Sequence, residues 1–175
     1  MTYAELKSSI QDYLQNTETT FVADLPTIIQ QAEERILKLV RLPVFRKNVQ
    51  GNLTTGNQYL GTPSDFMDTF SIATITSDTY NYLIRTDVSF IREAYPTTTT
   101  TGAPKHYSLF DNNTFIVGPT PNADYTAELH YFYKPASITA GAESGTTWLA
   151  TNATNVLLYG CLVEGYTYMK GEADL

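Results

Sequence analysis

Apolar residues near the start of the chain recur every three to four positions: Leu6, Ile10 and Leu14, with Tyr3 and Tyr13 beside them, opposite Lys7, Gln11 and Asp12. That period is helical and predicts an amphipathic first helix. Thr2, three residues before Glu5, marks its start as a capping box, in which each side chain satisfies a backbone N–H that the first turn leaves open. After a polar run from Asn16 to Thr20, Pro26 predicts the first turn of a second helix, with Asp24 or Leu25 ahead of it, because the fixed φ of proline suits that position. This helix is expected to run to about Val40. It would bury Ile28, Ile29, Ala32, Ile36, Leu39 and Val40, leave Gln31, Glu34, Arg35 and Lys38 in water, and stop before Leu42-Pro43. Two helices so closely joined predict an antiparallel hairpin, which needs a third element to cover both stripes. Asn152, a good N-cap residue, predicts that element as a helix from Ala153 to Lys170. Val156, Leu157, Cys161, Leu162, Val163, Tyr168 and Met169 make it apolar over much of its circumference.

Between the second and third helices the pattern turns to short Thr- and Tyr-rich runs bounded by Gly, Pro, Asn and Asp, the punctuation of an antiparallel sheet. Strands are predicted at Val44–Gln50, Gln58–Leu60, Phe70–Thr76, Tyr80–Ile84, His106–Phe110, Thr114–Val117 and Tyr125–Tyr133, with a short helix over Asp87–Tyr95. Asp111-Asn112-Asn113 suits a tight hairpin, since Asn and Asp tolerate left-handed backbone. Thr97–Thr101 with Gly102 and Ala103, between Pro96 and Pro104, reads as an exposed, mobile loop. The whole is α+β: a small helical bundle from residues 1–43 and 150–175, with a β-rich antiparallel insertion at 44–149, forming one structural unit.

Composition supports a folded chain, 42% hydrophobic and 13% aromatic, and thirteen Tyr against eight Phe and one Trp favour half-buried sheet faces and subunit interfaces. The net charge of −7 argues against tight binding to the outside of duplex DNA, which needs clustered Lys and Arg to displace counterions. With a single cysteine, Cys161, no intramolecular disulfide or cysteine-built metal site is expected, and neither a signal peptide nor a membrane span is visible.

Chemistry is sparse. His106 and His130 sit in predicted strands without metal-ligand spacing, and Cys161 falls in an apolar helical pattern with no base to activate it. Gly51 and Gly56 lack the Lys-Ser/Thr of a phosphate loop, and Gly118-Pro119-Thr120-Pro121 reads as a rigid turn. The carboxylate pairs Glu33-Glu34 and Glu172-Asp174 are expected on polar helix faces or ends, as solvated charge. No catalytic residue, cofactor or metal is expected, and the chain reads as a non-enzyme. One charge cluster stands out in an acidic chain: Arg35, Lys38, Arg41, Arg46 and Lys47, around the end of the second helix. These cations complement the negative helix terminus or dock an acidic neighbour.

A series of phrases spans nearly the whole chain: Tyr3-Ala4-Glu5-Leu6-Lys7, Gln31-Ala32-Glu33-Glu34-Arg35-Ile36, Leu60-Gly61-Thr62-Pro63-Ser64-Asp65-Phe66 and Phe90-Ile91-Arg92-Glu93-Ala94-Tyr95-Pro96. Phe115-Ile116-Val117-Gly118-Pro119-Thr120-Pro121, Leu129-His130-Tyr131-Phe132-Tyr133-Lys134-Pro135 and Leu158-Tyr159-Gly160 continue it. In order and spacing the set resembles the head-to-tail adaptor proteins of short-tailed phages and related marine and enterobacterial phages. The resemblance implies a structural subunit of the virion neck, in a homo-oligomeric ring of twelve copies beneath the portal protein, carrying tail tube, nozzle or fibre proteins. DNA would pass the lumen without sequence-specific reading, and the chain would reside in the host cytoplasm during assembly. Relatives usually continue past Gly171-Glu172-Ala173-Asp174-Leu175 into another long polar helix; either this is a short version or the sequence ends where order ends, and the alternatives bear on how the portal is gripped. Two rivals remain. A carbohydrate- or receptor-binding tail module would be equally rich in Tyr and Thr, but more often wholly β with exposed Trp platforms. A small hydrolase would need a convergent set of acids or histidines that the sequence does not offer.

Overall fold

A computed structural model describes residues 1–169 and divides the chain into two compact units: Met1–Arg41 together with the chain from Pro135 onwards, and Leu42–Lys134. The fold is α+β, with five α-helices among the described residues and a β-rich central region.

In the helical unit, α1 (Tyr3–Leu14) begins at the expected capping box: the Glu5 N–H donates to the Thr2 hydroxyl at 3.3 Å and the Thr2 N–H to the Glu5 carboxylate at 2.8 Å. Two more of its open N–H groups, those of Tyr3 and Ala4, donate to the carbonyls of Gly145 and Glu143, so the start of α1 is stitched to the segment entering the last helices. Tyr3, Leu6 and Ile10 are buried, while Tyr13 points to solvent rather than joining the stripe. Helix α2 (Thr19–Leu39) starts well before Pro26, which lies inside it. The sequence reading of Pro26 as a first-turn residue is corrected by packing: Phe21 and Leu25, both buried, hold the turns ahead of it against a cost of about 3 kcal/mol for an internal proline.

The buried stripe of α2 runs Phe21, Leu25, Ile28, Ile29, Ala32, Glu33 and Leu37, so Leu39, 77% exposed, and Val40 are not core residues, and Ile36 is only half-buried. Asn152 is not an N-cap either. It ends a short helix, α4 (Trp148–Asn152), capped by Thr147, and its amide donates back to the Trp148 carbonyl at 3.1 Å. The long final helix is α5 (Thr154–Met169); the Lys170 end expected for it lies outside the described residues. Both α1 and α2 pack principally on α5, so the expected hairpin of the first two helices is joined through the third. Close approach is made possible at Gly160, where an added Cβ would stand 3.3 Å from Ile36 Cδ1, and at Gly165, where it would lie 2.6 Å from Leu14 Cδ1.

The second unit contains all seven predicted strands. Its first sheet has the order β1 (Arg46–Leu53), β10 (Tyr125–Tyr133), β3 (Phe66–Thr76), β4 (Thr79–Tyr82), antiparallel throughout. A second sheet runs β2 (Tyr59–Gly61), β8 (Thr114–Gly118), β7 (His106–Asp111), β5 (Ile84–Arg85). The predicted strand Tyr80–Ile84 thus divides at the buried Leu83, its two parts pairing in different sheets. The insertion is not purely antiparallel: β5 pairs parallel with β7, a pairing allowed by the long crossover through α3 (Val88–Ala94). The Thr-rich loop is exposed as expected, yet Thr101–Gly102 forms β6, a two-residue parallel pair with β9 (Thr120–Pro121). Val44 belongs to a 3-10 turn, Pro43–Phe45, rather than to a strand.

Leu53, Ile72, Tyr107, Phe115, Val117, Ala127, Leu129 and Tyr131, from strands of both sheets, form one core cluster with Leu83, which lies between β4 and β5. At the expected hairpin, the Asn113 N–H donates to the Asp111 carboxylate at 2.7 Å. The β3–β4 turn uses Ser77 and Asp78 at φ 47° and 61°, the paired left-handed residues of a tight hairpin.

Candidate interaction surfaces

The five cations singled out in the sequence fall into both units. Arg35 and Lys38 lie on α2, and Arg41 follows its last turn. The Arg35 guanidinium meets the Glu164 carboxylate at 2.8 Å, and Lys38 reaches Glu34 one turn back at 3.6 Å. With Gln31 and Leu39 these side chains line an open groove of about 560 Å³ between α2 and α5. The groove is close to charge-balanced, since each of the two cations faces a carboxylate.

Arg46 and Lys47 open β1 and, as successive strand residues, point to opposite faces. The Arg46 guanidinium carbon lies 3.9 Å from the centre of the Phe70 ring and 5.0 Å from that of Phe132, and its buried Nε has no hydrogen-bond partner. Stacking on two rings offsets that unmet donor. Lys47 sits on the other side, 2.6 Å from Asp65 and over the Tyr133 ring at 4.1 Å. Tyr131 also donates to Asp65, at 2.7 Å. Burial alone would raise the Asp65 carboxyl, but the hydrogen bonds from Lys47 and Tyr131 outweigh it and hold it below its ordinary value. The Tyr131 hydroxyl is pushed up to about 12, by burial first and by its bond to that carboxylate second.

The outer face of the first sheet is aromatic. Beside Arg46 it carries Phe70, Phe132 and His130, with Phe70 edge-on to His130 at 4.9 Å, and Tyr80 and Tyr82 stand exposed on β4. Composition signalled this only as an excess of tyrosine, because which rings share a face depends on strand register.

Two buried carboxylates in the helical unit escaped the sequence reading. Glu33, expected on a polar face, is buried, and its carboxylate accepts the Ile138 N–H at 3.1 Å, pinning the returning chain to α2. Its position one helical turn from both Ile29 and Leu37 was the available signal. Glu164, buried on α5, is reached by Arg35. The Cys161 thiol feels both charges: it is pushed up to about 12 by burial and then by the fields of Glu33 and Glu164, the opposite of an activated nucleophile. His106 accepts or donates through Nδ1 to the Tyr95 hydroxyl at 2.9 Å and stacks edge-on with Phe90, which gives it a packing role. Gly118 fits only as glycine, since a Cβ there would meet the Tyr95 ring at 2.5 Å. Glu172 and Asp174 lie outside the described residues. Among the described residues no three metal-binding side chains converge, and no helix is long and apolar enough to cross a membrane.

The described surfaces are a charge-balanced helical groove, a helix with apolar residues turned outward, and an aromatic sheet face. Compared with known proteins, the chain matches the family model described as SU10 adaptor protein over residues 1–174. No curated protein matches it.

Proposed function

We propose a role that proceeds from one premise: the chain belongs to the SU10 adaptor protein family, a family of phage head-to-tail adaptors. Members are structural components of the virion that interact with portal and tail proteins. Within that frame, the chain works as one copy in a closed homo-oligomeric ring of twelve beneath the portal, joining capsid to tail. The helical units pack side by side as a collar. The sheet units reach towards a tail tube, nozzle or fibre protein. A cyclic ring suits a cyclic portal, because heterologous contacts that close on themselves need no further partner to complete them. DNA passes through the lumen without sequence-specific contact, in keeping with a net charge of −7. Assembly takes place in the host cytoplasm, and no catalytic step is involved.

The observation that carries this reading is that each compact unit turns its own apolar surface outward, α5 in one and the Phe70–Tyr80–Tyr82 face in the other. An adaptor needs two such surfaces for two kinds of neighbour. Arg35, Lys38, Arg41, Arg46 and Lys47 act at the rims of these contacts towards acidic neighbours, where charge sets register and encounter rate more than affinity. Phage lacking this chain should yield DNA-filled heads without stably attached tails, visible by electron microscopy. Tailed, infectious particles from the same deletion would remove the role. The exposed aromatic sheet face also favours a second reading, a glycan- or receptor-binding tail module, for which binding of the purified chain to host-surface glycans is the test.

A further inference from the structure

Helix α5 is apolar on every side, yet its buried residues all lie on one side. Leu157, Cys161, Glu164 and Gly165 face the bundle and are buried. On the opposite side Val156, Tyr159, Val163 and Tyr166 stand 55%, 59%, 54% and 50% exposed. Their spacing of three, four and three residues is that of the apolar seam of a coiled coil, which places all four on one line along the helix. A helix apolar all round is ordinarily a buried helix, and on α5 this side stays about half exposed.

The chemistry of this stripe points to its occupant. Between Thr154 and Met169 the only ionisable acid or base of the Asp, Glu, Lys and Arg type is Glu164, which is buried and paired with Arg35 at 2.8 Å, so the outward face carries no formal charge. In a chain of net charge −7, two copies repel one another over most of their surfaces, and a neutral face is where they can approach without that cost. The four side chains expose on the order of 400 Å², the size of the largest apolar patch a monomer usually carries and about half of what each partner buries in a stable interface. Flanking Asn155 and Thr167, also exposed, supply an uncharged rim. The groove lined by Arg35, Lys38 and Glu34 lies to the other side of Gly160, where α2 packs, and its charges are balanced within the copy.

We propose that the outward stripe of α5, centred on Tyr159 and Val163, is the seam at which one copy of this chain meets a second copy. The inference rests on the adaptor reading and adds to it one of the two unlike surfaces that meet at each junction of the ring. Its test places a photo-crosslinking p-benzoylphenylalanine at Tyr159 in the full chain within assembled virions. Irradiation should give an adduct between two copies of the chain, identified by mass spectrometry of the linked peptides. A second variant, Val163→Glu, should keep the parent's circular dichroism and thermal midpoint, because Val163 is exposed, while its incorporation into virions falls at least tenfold. Adducts only with another virion protein, no adduct at all, or parent-like incorporation of Val163→Glu would overturn the seam while leaving the adaptor reading in place. Absence of the unaltered chain from virions would overturn the adaptor reading and the seam with it.

Discussion

On α5, Val156 and Val163 face outward as bare aliphatic side chains, whereas on the outer face of the first sheet Phe70 and Phe132 hold the Arg46 guanidinium and Phe70 meets His130 edge-on. Both regions expose apolar atoms, but the sheet face sets a guanidinium among its rings, whereas Val156 and Val163 of α5 present only aliphatic surface. The same contrast holds inside. The sheet unit's core cluster is made of aliphatic and aromatic residues, with its acid–base contacts, Lys47 and Tyr131 on Asp65, at its edge. The helical unit buries two carboxylates, Glu33 and Glu164, and uses them to fix how its segments meet. The two outward surfaces therefore differ in kind: one is a mixed aromatic and cationic face, the other an uncharged apolar stripe. The helical unit adds directed polar contacts to its apolar packing, which the sheet unit's core cluster does without.

Four substitutions would break or sharpen this contrast. The largest effect is expected at Phe115, fully buried in the sheet core, where Phe115→Ala should cost about 3–5 kcal/mol in denaturant unfolding. Next comes Glu33→Ala, which leaves the buried Ile138 N–H without its acceptor and should cost about 1–3 kcal/mol. Because Trp148 is the only tryptophan and lies in the helical unit, its fluorescence should register this loss directly. If Glu33→Ala unfolds like the parent, polar anchoring is not what orders the helices.

A smaller effect, about 1 kcal/mol, is expected for Tyr131→Phe, measured as the shift in urea midpoint at neutral pH. Its pH dependence has a definite sign. The Asp65 carboxyl is held below its ordinary value in the fold, so its contribution is present above about pH 4 and is lost as the pH falls through the lowered folded value. Tyr131→Phe should therefore flatten the acid limb of the stability curve, and an unchanged limb would assign acid sensitivity elsewhere. Smallest is Lys38→Ala, an exposed cation 3.6 Å from Glu34, which should change stability by less than about 0.5 kcal/mol.

How much of this was legible in the sequence follows from the range of the interactions. The Thr2–Glu5 capping box, the Asp111–Asn113 hairpin and the seven strand segments are set by neighbours along the chain and were readable. The start of α2 was not, because proline's local preference for a first turn gives way to the burial of Phe21 and Leu25 against distant residues. Glu33 was misplaced because its negative charge suggested solvent more strongly than its helical phase suggested the core. Strand order, the division at Leu83 and the parallel pairs of β5 and β6 depend on contacts far apart in sequence. The sequence placed the five cations together, whereas their pairing depends on the fold: each of Arg35, Lys38, Arg46 and Lys47 has a different neighbour. The two faces of α5 could not be told apart, since a helix apolar all round carries no phase. Cys161, by contrast, lies where its apolar neighbours placed it.

The most direct test of the adaptor account is native mass spectrometry of the purified chain alone and mixed with the portal protein of its phage. The account predicts a complex in which the chain joins the portal ring at one copy per portal subunit. A chain that stays separate from the portal under conditions where the portal ring is intact would contradict it.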